Sequence, residues 1–146
     1  MKPSRPLQKI RFTSNPCELS TVREQVRKFL ADAGFPECES LLVVLALDEA
    51  CTNIIRHAYQ GACRPVRMEM SRSNTSVTFT LRDYGKSCDP EKIRGRALED
   101  FRPGGLGVHI IQQAFDDVEY TPCSRGTRLR LVKKLPASHH SERLKR

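Results

Sequence analysis

The sequence predicts an α+β, two-layer sandwich: a mostly antiparallel mixed sheet with helices on one face. Two long segments in the first half have helical periodicity. Two pairs of short segments alternate apolar and polar residues about turn signals. The elements follow the order β-α-α-β-β-loop-α-β-β, and such segregated strand pairs build an antiparallel sheet with its helices on one side. A chain of 146 residues suits one domain with a sizeable core.

Taken in order, Lys9 to Thr13 alternates as a short strand. Asn15-Pro16 is a helix start, with Asn as cap and Pro at the first helical position. Leu19, Val22, Val26, Phe29 and Leu30 then recur at helical spacing over 16–33, and Gly34 is the stop. Pro36, with Glu37 and Glu39 where the macrodipole favours acids, opens a second helix running to about His57. That helix is apolar on most sides, which predicts burial. Val66, Met68 and Met70 pair with Val77, Phe79 and Leu81 as a hairpin around Ser73-Asn74. Residues 85–105 are an irregular loop rich in Gly, Pro and charge, and loops of that length are usually functional. Leu106 to Phe115 is a short helix, and 118–121 with 127–132 forms a last antiparallel pair around Ser124-Arg125-Gly126. The expected organisation is a flexible N-terminus over 1–7, the domain over 8–134 and a basic disordered tail over 135–146.

The formal net charge is +8. Residues 1–11 hold four bases and no acid, and residues 133–146 hold five bases and one acid, so the body over 12–132 sums to zero. A basic stripe is the footprint of a nucleic-acid binder, and basic ends on a neutral body are weaker evidence that more often means solubility or a loose acidic contact. Trp is absent and aromatic residues are 6%, so stacking platforms for single strands are scarce. No apolar run approaches a membrane span, and Met1 to Pro6 lacks the apolar region of a signal peptide. The expectation is a cytoplasmic protein with no direct nucleic-acid contact and no membrane association. Six cysteines form no CxxC pair, which argues for reduced thiols without zinc.

Three local patterns carry chemistry. On the second helix Leu42, Leu45, Glu49 and Asn53 share one stripe, which begins apolar and turns polar. It sets a proton acceptor one turn from a neutral oxygen suited to magnesium. The plain alternative is a helix end emerging into solvent, or a Glu49–Arg56 pair. Next, Asp83-Tyr84-Gly85 closes a strand. An acid there can accept from an exocyclic amine, and the glycine admits a flat ring against the backbone. A turn after a strand explains the same residues. Finally, Gly104-Gly105-Leu106-Gly107 opens a helix, where free amides favour phosphate. It matches neither the P-loop nor the Rossmann fingerprint, and a flexible hinge has the same composition.

In this order, with Gly126-Thr127 in the last strand, the motifs resemble the ATP-binding module shared by gyrase, the large heat-shock chaperones, histidine kinases and mismatch-repair ATPases. The stretch from Asp48 to Tyr59, with Gly105 to Ile111, Asp116 to Tyr120 and Gly126 to Leu129, is most similar to one branch: the bacterial anti-sigma factor serine-protein kinases. The resemblance covers about 8–134 and implies a histidine-kinase-like ATPase fold. A chain this short leaves no room for the dimerisation domain of a histidine kinase.

The resemblance implies that Asn53 holds the Mg2+ that bridges the phosphates of ATP, and that Glu49 is the general base. Arg56 would contact phosphate. Asp83 would read the adenine amino group, with Gly85 beneath the ring and Thr127 in support. Gly104, Gly105 and Gly107 would wrap the phosphates, with Leu106 and the amides of Val108 and His109 beside them. The implied activity is ATP-dependent phosphorylation of a STAS-type anti-sigma-factor antagonist, with sequestration of a sigma factor by a homodimer. Relatives often carry a second glycine where this chain has Ser87, a departure that stiffens the first hinge of the lid. A nucleotide-responsive partner switch without significant kinase activity is the alternative. A DNA-binding regulator, resting on the basic ends alone, is a third reading.

Overall fold

The structure is a computed structural model that describes residues 8–13, 15–59, 62–85 and 103–136. Its elements are β1 (Gln8–Thr13), α1 (Pro16–Asp32), α2 (Glu37–Asn53), a π-helical turn (Ile54–Ala58), β2 (Pro65–Arg72), β3 (Ser76–Arg82), α3 (Pro103–Ala114), β4 (Asp117–Pro122) and β5 (Thr127–Lys134). The five strands form one sheet in the order β1-β2-β3-β5-β4. All four pairings are antiparallel, so the sheet is not mixed at any pairing. β3 and β4 both oppose β5 and therefore run the same way, with α3 on the connection between them.

Local chemistry sets the ends of α1. The Asn15 side chain accepts from the Cys17 amide at 3.0 Å, with Pro16 in the first turn. At the other end Gly34 adopts φ +89°. Gly34 N–H donates to Ala31 O at 3.0 Å and Phe35 N–H to Leu30 O at 3.1 Å, a Schellman closure that glycine permits. In the β2–β3 turn the Ser73 hydroxyl accepts from the amides of Thr75 and Ser76 at 3.2 and 3.1 Å.

Strand alternation places Val66, Met68, Met70, Val77, Phe79, Leu81, Leu129 and Leu131 on one buried face. α1 and α2 cover it with Val22, Val26, Leu30, Val43, Ala46 and Leu47. Phe79 is fully buried, with Phe29 and Phe115 edge-on at 5.6 and 6.0 Å. Cys51 is a small core residue, its thiol pushed up to about 12 by burial first and by the Asp48 charge second. Cys17, Cys38, Cys51 and Cys63 are thiols.

Three expectations need correction. α2 is not buried all round: Leu41 and Leu45 are 48% and 46% exposed, because only the stripe from Ser40 through Val43 and Leu47 to Ala50 and Cys51 meets the core. Nor does the regular helix reach His57. It ends at Asn53 and widens into the π turn, closed by Tyr59 N–H to Ile54 O at 3.0 Å. Finally, the helix expected from Leu106 starts at Pro103, so Gly104, Gly105 and Gly107 belong to its first turns. At the C-terminal end Leu135 N–H donates to Thr75 O at 2.9 Å and the side chain packs on the core. The expectations for 1–7, for 137–146, and for most of the loop over 85–105 including Ser87 lie outside the described residues. Among the described residues no helix is long and apolar enough to cross a membrane.

Candidate functional site

Two clusters form on either end of one stretch of helix. The first gathers the turn after β3, the turn before β5 and the π turn. Asp83 leaves β3 with its side chain buried, at 4% exposure. Its N–H donates to Thr127 O at 3.1 Å, which continues the β3–β5 ladder by one residue. Its Oδ1 accepts from the Gly85 amide at 3.1 Å, and the Thr127 amide also bonds to the carboxyl group. Burial pushes the Asp83 carboxyl above its ordinary range, and those two amide bonds oppose the shift. The result is a buried acid held in one orientation by backbone donors. Thr127, 6% exposed, lies beside it.

Glycines allow this approach. A Cβ on Gly126 would stand 2.2 Å from Asp83 O and 2.7 Å from its Oδ1, and Gly126 has φ +78°. A Cβ on Gly85 would stand 2.2 Å from Ala58 O and 2.9 Å from Tyr59 Cδ1. Gly85 is thus pressed against the π turn. Tyr59, 4% exposed, ties the two together: its hydroxyl donates to Pro65 O and accepts from the Tyr84 amide at 3.0 Å. Burial raises the Tyr59 phenol, so it stays a donor at neutral pH.

The second cluster joins α2 to α3. Glu49 is half-buried rather than buried, so the stripe on α2 holds no costly interior carboxylate. Among the described residues no ion pair joins it to Arg56, which is exposed on the π turn. A Cβ on Gly107 would stand 2.5 Å from Glu49 Oε2, so α3 brings its backbone directly over the carboxylate. Asn53 is half-buried one turn beyond Glu49, the last residue before the π turn. Val108 is 7% exposed and His109 is exposed. Both lie inside α3, so their amides serve the helix ladder, and the amides left open by the helix start are those of Gly104 and Gly105. Leu106 lies in the same first turns.

Ten residue steps separate Glu49 from Tyr59 along the chain, four within α2 and six through the π turn. The structure therefore brings Asp83, Gly85 and Thr127 together at one end and Glu49 with Gly107 at the other. The sequence motifs include Gly126 as a turn residue beside Thr127 but give no role to Tyr59, which ties the Asp83 turn to the π turn. Its signal was present, in the quoted stretch ending at Tyr59. Among the described residues no three acidic, His or Cys side chains gather as a metal site. A neutral Asn oxygen is the donor expected for a magnesium ion that arrives on phosphates and keeps several waters.

A pH dependence follows from Asp83. Its folded value lies above its ordinary 3.8, so its favourable contribution is complete below 3.8 and is lost as pH rises through the folded value. In urea melts over that window, Asp83→Asn is expected to remove this part of the pH slope. A slope identical to wild type would place the titration elsewhere.

The antiparallel sheet, the helical layer and the acid-and-glycine turns define an α+β sandwich of the ATPase type. The sequence profile of the histidine kinase-like ATPase domain matches residues 12–133, and the chain belongs to that family. Serine-protein kinase RsbW of Halalkalibacterium halodurans is 29% identical over 86 residues, 53% of this chain and 52% of that protein. Serine-protein kinases RsbW of Bacillus thuringiensis and Bacillus cereus are 27% identical over 84 residues, 51% of this chain and 52% of each relative. The alignments thus span about half the length of these curated relatives. The similarity accords with the anti-sigma factor kinase branch, and an ATPase domain implies use of ATP.

Proposed function

We propose that the chain is an ATP-dependent serine-protein kinase and anti-sigma factor that phosphorylates a STAS-type anti-sigma-factor antagonist and sequesters a sigma factor as a homodimer in the cytoplasm. One observation carries the reading: a buried aspartate oriented by two backbone amides at the end of β3, with a glycine two residues on that leaves room for no side chain. The aspartate supplies the acceptor that the amino group of adenine needs, and Gly85, packed against Ala58 and Tyr59, holds the turn beside it. The names of the relatives support the serine-kinase part.

In this reading Asp83 accepts from the adenine amine, Gly85 lies under the ring and Thr127 supports it. The open amides of Gly104 and Gly105 donate to phosphate, with Leu106, Gly107, Val108 and His109 forming the rest of the wall. Arg56 adds a charged donor. Asn53 would hold Mg2+, which neutralises phosphate charge. Glu49 takes the proton of the substrate serine as its oxygen bonds to the γ-phosphorus and the bond to the leaving ADP oxygen breaks.

Calorimetric titration of Mg-ATP tests the site. Wild type is expected to bind saturably and Asp83→Asn to lose about 100-fold in affinity, because the amide turns a donor towards a donor. Equal affinities would remove Asp83 from nucleotide recognition. Binding without phosphoprotein on any candidate antagonist would favour a nucleotide-responsive partner switch.

A further inference from the structure

The register of the sheet assembles a feature on the face opposite the Asp83 carboxyl. Arg11 pairs with Arg67, Arg67 with Arg82, and Arg82 with Arg128. Four arginines therefore stand in one cross-strand row over β1, β2, β3 and β5. Their chain neighbours Phe12, Val66, Met68, Leu81 and Leu129 point into the core, so the row lies on the opposite face, which the described helices leave open. Arg11, Arg67 and Arg128 are exposed. Arg82 is half-buried, its guanidinium stacked 4.5 Å from the centre of the exposed Tyr84 ring. Among the described residues none of the four is in an ion pair, whereas Arg130 beside them is held by Asp117 at 3.8 Å.

Like charges placed directly opposite across strands destabilise a sheet. Threonine or valine would serve an exposed strand position better. A row of four calls for a ligand that repays it. The charge is also segregated by layer: residues 16–53, which form α1 and α2, hold seven acids and three bases, while the strands hold nine bases and three acids. The neutral sum of the body conceals a basic sheet behind an acidic helical layer.

We propose that the open face of the sheet is a docking surface for an acidic helix of a partner protein, read by Arg11, Arg67, Arg82 and Arg128. The dimensions select the occupant. Neighbouring strands lie about 4.8 Å apart, so the row spans roughly 14 Å. Carboxylates at i, i+4, i+7 and i+11 of a helix span roughly 16 Å along one face, a mismatch that flexible arginine stems absorb. Guanidinium forks then meet carboxylates in paired hydrogen bonds. The row holds one arginine per strand. Two residues along the strands it is flanked by a row of mixed charge, Lys9, Glu69, Thr80, Arg130 and Glu119, and on its other side by Thr13, Pro65 and Tyr84. Glu69 and Glu119 interrupt the positive field that a broad phosphate backbone needs, Asp117 already holds Arg130, and a single aromatic ring is a poor base platform. Arg82 donates to Asp83 O and Arg128 adjoins Thr127, so the test peptide is titrated without nucleotide and its failure is read apart from that of the nucleotide site.

The test uses the full chain and a labelled alanine-rich helix of about 20 residues with glutamates at i, i+4, i+7 and i+11. Its control has the same composition with the glutamates dispersed around the helix. By fluorescence anisotropy the striped peptide is expected to bind at least about tenfold more tightly than the control. Arg67→Thr with Arg128→Thr is expected to abolish that difference while leaving the melting temperature unchanged or higher, since all three like-charge contacts of the row disappear. Arg72→Thr, off the row, is expected to leave it intact. Equal binding of the two peptides, or binding indifferent to the double substitution, would overturn the proposal. Tighter binding of duplex DNA that the double substitution abolishes would assign the row to nucleic acid instead and overturn it equally.

Discussion

Replacing Gly126 by alanine is expected to cost the fold about 3 kcal/mol and to lower the melting temperature by about 10 °C. Two terms combine. The residue sits at φ +78°, where a side chain is strained by about 1 kcal/mol or more. The new Cβ would also stand 2.2 Å from Asp83 O and 2.7 Å from its carbonyl carbon and Oδ1. Those first two atoms are backbone and belong to the β3–β5 ladder, through Asp83 N–H to Thr127 O. They cannot swing aside, so the turn must move and carry the carboxyl group with it. Asp83→Asn is the matched control: it keeps the shape and spares the backbone, so its stability should stay within about 1 kcal/mol of wild type. Urea unfolding of the two variants decides the matter. A Gly126→Ala protein as stable as wild type would mean that the turn relaxes freely and that Asp83 is not held by it.

The parts of this fold that sequence carried were those decided within a few residues. Asn15, Pro16 and Gly34 bound α1 because caps and a Schellman closure are local chemistry. The hairpin through Ser73 and the turn at Gly126 follow from alternation and turn residues. What failed depended on partners distant in the chain. The apolar run from Leu41 to Leu47 looked buried all round, yet only one of its faces meets the sheet. The π turn exists where Ala58 and Tyr59 are pressed against Gly85, a contact no helical period announces. The arginine row needs the register of four strands, one pair of which is not consecutive, and a charge sum cannot reveal it. The site divides the same way. Asp83, Gly85 and Thr127 were named from motif order and meet through hydrogen bonds, whereas Tyr59, which ties that turn to the helix, does so across 25 residues.

Under the proposed kinase reading, Glu49→Gln is expected to slow phosphoryl transfer by 10² to 10⁴-fold, about 3–5 kcal/mol of barrier. Glutamine keeps the length and shape that fit beneath Gly107, so neither stability nor Mg-ATP affinity should change more than a few-fold. Only the proton acceptor is lost. Single-turnover transfer to a purified STAS-type antagonist, read as phosphoserine by mass spectrometry, separates this effect from binding. Gly107→Ala supplies the geometric counterpart. Its Cβ would meet Glu49 Oε2 at 2.5 Å, which is the free end of a flexible side chain, unlike the backbone that faces Gly126. The carboxylate therefore yields, and alanine improves the helix by up to about 1 kcal/mol. Gly107→Ala should thus fold at least as well as wild type and transfer phosphate more slowly, through a displaced but intact acid. Slow transfer in Gly107→Ala with wild-type rates in Glu49→Gln would place the proton acceptor on another group and leave Gly107 acting through the lid. Slow transfer in both, with Mg-ATP still bound, is the pattern expected of a base whose aim is set by the helix packed over it.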